Sequence, residues 1–120
     1  MTPEKFKKLV MEALLQIPKE MRSRLDNVDL VVENSPTLEQ LAGSAIDDDQ
    51  SLLGLYEGIP LTERYGYDMV LPDKITLFQD SIEQICSNDE EIVEEIRDTV
   101  IHEIAHHFGM SENKLENLDI

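Results

Sequence analysis

The 120-residue chain is predicted to be a small α+β domain, a sheet of about three strands packed against an N-terminal and a C-terminal helix. Three observations predict this. Apolar residues recur at spacings of three and four near both ends of the chain, over residues 2–17 and 87–109, the mark of amphipathic helices. Between them lie three short runs, 28–33, 52–58 and 74–79, dominated by Val, Leu, Ile, Tyr and Phe and bounded by Gly, Pro, Asn and Asp, as strands are. Apolar content is 41%, ordinary for a folded globule. The length suits one domain spanning residues 1–120, which buries about two-thirds of the surface its unfolded chain exposes.

Taken in order, Thr2 is a capping residue and Pro3 suits the first helical position, where its missing N–H costs nothing. Phe6, Leu9, Val10, Ala13, Leu14 and Ile17 form the apolar face of this first helix, and Pro18 ends it. Lys19–Leu25 reads as a short helix or turn. Val28–Glu33 reads as a strand closed by Asn34-Ser35-Pro36. Leu38, Leu41 and Ala42 allow one or two helical turns before Gly43. The Asp47-Asp48-Asp49 cluster lacks the glycine and glutamate spacing of a calcium loop and reads as solvated loop. Leu52–Gly58 is the second strand and 60–72 a long connection. Lys74–Gln79 is the third strand, with Ile75 and Leu77 on one face and Thr76 and Phe78 on the other.

Ser87 or Asn88 caps the last helix, with acids behind it in the first turn. Val93, Ile96, Val100, Ile104 and Phe108 run under it as a stripe, and Gly109 is its stop.

Ten basic residues stand against 26 acidic ones, a formal charge of −16. Such a surface repels phosphate backbones and anionic headgroups, so nucleic acid and membranes are excluded as expected partners. It attracts cations, and a basic peptide or protein suits it. The lone Cys86 precludes an internal disulfide and is expected to fill the core near Ile82 and Ile85. No apolar run is long enough for a membrane span or a secretory signal, so the cytoplasm is the expected compartment.

The chemistry concentrates in His102-Glu103-Ile104-Ala105-His106-His107-Phe108-Gly109-Met110-Ser111-Glu112, which reads HExxHxxGxxE. Residues four apart on a helix lie about 40° apart on one face. His102 and His106 can therefore offer two imidazole nitrogens to one tetrahedral Zn2+. Glu103, about 100° round from His102, cannot join that chelate but can lean over the open side of the metal. That is the place for the general base of a metal-activated water.

A helix that stops at Gly109 lets the chain reverse and return Glu112 to the metal, giving two histidines, a carboxylate and one open position. The competing reading makes Glu112 a first-turn acid of a short terminal helix capped by Ser111. Both can hold together, and Glu116 and Asp119 are the other downstream carboxylates. His107, about 140° from His102, is expected to pack or hydrogen-bond rather than ligate. Asp98 and Thr99, a turn before His102, are candidates to hold an imidazole N–H. Arg64, Tyr65 and Tyr67 are weighed as oxyanion donors, with ordinary loop packing and a salt bridge as the competing reading.

The segment HEIAHHFGMSE, with LLGLYEGIPLTER (52–64) and LPDKITLFQDSIEQ (71–84), resembles the minimal zincin-like metallopeptidase family, small bacterial proteins with a shortened zincin core. The resemblance covers about residues 50–118. It implies a compact α/β domain, a His-His-acid zinc site and peptidase chemistry, with His102 and His106 as ligands, Glu103 as base and Glu112 at the third-ligand position. Aspartate is the residue it leads one to expect there, and glutamate, a methylene longer, has to bend to reach the same point. It further implies an extended peptide lying along a sheet edge above the metal. Two functions are thus in play: a zinc-dependent peptidase, or a non-catalytic metal- or partner-binding module. An intact Glu103 favours the first, because a structural site has no use for a base.

Overall fold

The computed structural model describes residues 1–26, 28–42, 52–58 and 73–107. The first helix, α1 (Pro3–Leu15), begins as its sequence dictates: Thr2 is the N-cap and its side chain accepts from the Lys5 N–H. A short α2 (Lys19–Arg22) and a 3-10 turn (Ser23–Leu25) lead to β1 (Val28–Glu33). Helix α3 (Leu38–Ala42) opens with a reciprocal cap. Thr37 Oγ1 accepts from the Gln40 N–H, and Gln40 Oε1 accepts from the Thr37 N–H. Then follow β2 (Gly54–Glu57), β3 (Asp73–Phe78), α4 (Gln79–Ile85) and α5 (Asp89–His107).

The three strands form one mixed sheet in the order β1-β3-β2. β3 pairs parallel with β1, Leu30 opposite Ile75, and antiparallel with β2, Gly54 opposite Leu77. The architecture is the expected α+β one. Helices α1 and α5 cover the sheet face that carries Ile75 and Leu77, and one core joins Phe6, Val10 and Ala13 of α1 to Ile96, Val100 and Ile104 of α5. Each fully buried aliphatic or aromatic side chain there contributes about 1.5–3 kcal/mol relative to exposure.

Several expectations are corrected in detail. Gln79 does not end the third strand: it opens α4, where it and Ile82 are buried. This seven-residue helix is too short to declare itself by period, because most of its stability comes from docking. β3 is buried on both faces, since Thr76 and Phe78 are as inaccessible as Ile75 and Leu77. That is the pattern of a central strand. Cys86 does pack against the core beside buried Ile82, whereas Ile85 is exposed. The first helix ends at Leu15, although Ile17 still reaches the core.

The N-cap of α5 is Asn88, whose Oδ1 accepts from the Glu91 N–H while Glu91 Oε2 accepts from the Ser87 N–H. Among the described residues no helix is long and apolar enough to cross a membrane.

Candidate active site

Helix α5 is held from beneath. Ile101, Ile104 and Ala105 are buried, so the two residues between Glu103 and His106 belong to the core and the chemical ones turn outward. His102 and His106 are exposed, and Glu103 is half-buried. The imidazole centroids of His102 and His106 are 6.3 Å apart with ring planes 24° from parallel.

Strand β2 runs beside this half of the helix. A Cβ on Gly54 would lie 2.6 Å from Thr99 Cγ2 and 3.2 Å from the Thr76 carbonyl oxygen, whereas one on Gly58 would lie 3.9 Å from His107 Cε1. Four strand residues advance about 13 Å and eight helical residues about 12 Å, so strand and helix travel together in one direction. Thr99, Glu103 and His107, spaced by four, form the helical flank that follows β2. The glycine that opens β2 is what permits the close approach.

At the far end the two elements are joined by rings. His107 stacks on Tyr56 with centroids 3.8 Å apart and planes within 14°, and the Tyr56 hydroxyl donates to Asp73 Oδ2 at 2.7 Å. His107 therefore stacks on the strand, as expected, although it is as exposed as the other two histidines. β2 is tied on its other side as well, where Gln40 Nε2 of α3 donates to Glu57 Oε1 at 3.2 Å.

Between the start of β2 and α5 lies an open groove of about 340 Å3, lined by Leu53, Gly54, Glu95, Asp98, Thr99, His102 and Glu103. The Phe78 N–H donates to the Leu53 carbonyl. Because hydrogen-bonded pairs alternate in an antiparallel ladder, Leu53 and Leu55 turn their main-chain groups toward β3 and Gly54 turns its own away from it.

Burial pushes the Glu103 carboxyl above its ordinary range, and the neighbouring His102 and His106 pull partly against that. The group is thus poised to take a proton, a property carboxylates acquire when partly desolvated. The two histidines fit a metal. At a Zn–N distance of about 2.1 Å and a tetrahedral angle, imidazole centroids sit roughly 5 Å apart. Both side chains are exposed, so small torsional changes close the difference from 6.3 Å. Among the described residues no third His, Cys, Asp or Glu completes a cluster with them.

Glu112 lies outside the described residues, as do Gly109, Ser111, Glu116, Asp119, the Asp47–Asp49 cluster, Arg64, Tyr65 and Tyr67. Asp98 and Thr99 do not serve as imidazole supports among the described residues. Asp98 Oδ1 accepts from Arg97 Nε at 3.1 Å, and Thr99 Oγ1 donates to Glu95 Oε1 at 3.4 Å. Gly54, Tyr56, Leu53 and Glu95 were not picked out by sequence reasoning. Only Gly54 carried a signal, as a lone glycine inside a strand.

The fold resembles that of a conserved hypothetical protein from Thermo thermophilus, at a TM-score of 0.55 and 21% identity over 90% of this chain and 94% of that one. A search of curated proteins finds no match. Residues 25–120 match the zincin-like metallopeptidase family. With the match spanning most of the chain, the HExxH helix and the strand beside it included, this protein belongs to the zincin-like metallopeptidase family.

Proposed function

We propose that the protein is a zinc-dependent peptidase in which His102 and His106 hold the metal and Glu103 is the general base. The observation that carries this is a half-buried Glu103 that lines the groove together with exposed His102, with exposed His106 one helical turn further on. Glu112 is proposed as the third ligand, which leaves one coordination position for the reaction. When bound, zinc supplies a water acidified toward a pKa of about 7 and polarises the scissile carbonyl.

Glu103 takes the proton of the attacking water as its oxygen bonds to the carbonyl carbon. It then returns that proton to the amide nitrogen as the C–N bond breaks, and the second water proton follows from the new carboxyl to the amine, releasing a carboxylate and an ammonium group. The substrate is an extended peptide added to β2, the outer strand on the motif side among those described, where Gly54 directs its main-chain groups away from β3. The same flank of α5 that follows β2 carries Glu103, so a chain laid there passes the base.

The deciding comparison is Glu103→Gln against wild type, with zinc measured by elemental analysis and hydrolysis of a peptide pool by mass spectrometry. Zinc uptake is expected to persist while hydrolysis falls by about 10²–10⁴-fold. Unchanged hydrolysis would remove Glu103 from its role. Stoichiometric zinc without hydrolysis in either protein would favour a non-catalytic module.

A further inference from the structure

The groove beside the motif has a chemistry of its own. Its lining sets Leu53, the bare backbone of Gly54 and the methyl-bearing Thr99 beside two carboxylates, Glu95 and Asp98, ahead of the motif on α5. Thr99 donates to Glu95 Oε1, which fixes that carboxylate on the groove side. Asp98 is ion-paired through Oδ1 with Arg97 Nε at 3.1 Å, yet its side chain stays 56% exposed and a second cation can share it. Apolar surface set beside carboxylates matches a side chain with an aliphatic stem and a cationic head.

We propose that this groove is a subsite for a lysine or arginine side chain of the substrate, next to the scissile bond. The inference rests on the peptidase reading for its place in a reaction, and on the groove alone for its ligand. Asp98 precedes His102 by four residues, about 6 Å along the helix axis. A lysine or arginine side chain reaches roughly 6 Å from its Cα. A residue whose carbonyl lies over His102 and Glu103 thus has the reach to bring its charged head to Asp98 and Glu95, provided its side chain leans along the strand direction rather than standing straight off it. Acidic side chains would meet like charge there, and small ones would leave the apolar wall uncovered. The net charge of −16 adds a long-range field that draws such peptides in.

The test compares Nα-acetyl-arginine amide, Nα-acetyl-lysine amide and Nα-acetyl-norleucine amide as ligands of the full, 15N-labelled chain, with and without zinc. Amide shifts of Gly54 and Thr99 are the readout. The basic ligands should perturb these two amides and bind at least about fivefold more tightly than norleucine. The double variant Glu95→Gln/Asp98→Asn should abolish that preference.

In parallel, cleavage sites in a peptide pool should be enriched in lysine or arginine beside the broken bond, and the double variant should lose the enrichment. Equal binding of arginine and norleucine amides by the wild type, or shifts confined to another surface, overturns the subsite whatever happens to cleavage. Preferential arginine binding at Gly54 and Thr99 with no peptide cleaved upholds the subsite and counts against the peptidase reading.

Discussion

Glu103 shows how one position serves two masters. Its carboxyl is half-buried, so its charged form is disfavoured by desolvation and partly restored by two imidazoles. Replacing it with glutamine removes a charge the metal-free fold holds at a cost. Glu103→Gln is therefore expected to melt at the same temperature as wild type or higher while losing activity, a trade common at active sites. Differential scanning calorimetry of the metal-free proteins checks this, and a clear drop in melting temperature would contradict it. His102 and His106 behave oppositely. Exposed and outside the core, each should be replaceable by alanine with little change in apo stability, within about 0.5 kcal/mol. Either change should weaken zinc uptake sharply, as measured by competition with a chromogenic chelator.

At the scale of elements, the site depends on how closely β2 rides on α5. In Gly54→Ala the new methyl would fall 2.6 Å from Thr99 Cγ2, on a buried, β-branched side chain with little freedom to yield. Strand and helix must separate, at a cost of about 1–3 kcal/mol. A second change, Thr99→Ser, deletes the offending methyl and keeps the hydroxyl that donates to Glu95. Urea denaturation should show Gly54→Ala destabilised and the double variant partly restored. Activity should follow the same order, because the shift moves Glu103 relative to the strand. No restoration would mean the constraint lies instead at the Thr76 carbonyl, 3.2 Å away.

For the molecule as a whole, one core ties α1, β3, α4 and α5 together, so a remote defect reaches the motif helix. Phe6 is fully buried in α1, and Phe6→Ala should cost about 3–5 kcal/mol. That is a large part of the stability of an ordinary domain. The proposed zinc site exists only in the folded form, so zinc should offset some of it: at a free concentration near 100 times Kd the gain is about 2.7 kcal/mol. A thermal melt of Phe6→Ala should thus rise on adding zinc and fall back with a chelator. A melt indifferent to zinc would argue against metal binding at this helix.

The local pattern alone was enough for the α+β class, the positions of the three strands, both long helices and the HExxH motif, because each depends on near neighbours. The period of three and four under α5 places Ile104 inward and His102 and His106 outward without reference to any other element. Tertiary structure decided the rest. The choice of β2 as neighbour of the motif helix comes from pairing across distant segments, Gly54 with Leu77 and Tyr56 with Ile75. So does the His107–Tyr56 stack, whose partners are far apart in sequence yet 3.8 Å between centroids. Helix α4 escaped because seven residues cannot show a period, and the two-sided burial of β3 follows only from its central place in the sheet. Periodicity reports which way a side chain points relative to its own backbone; what it then meets is determined by packing.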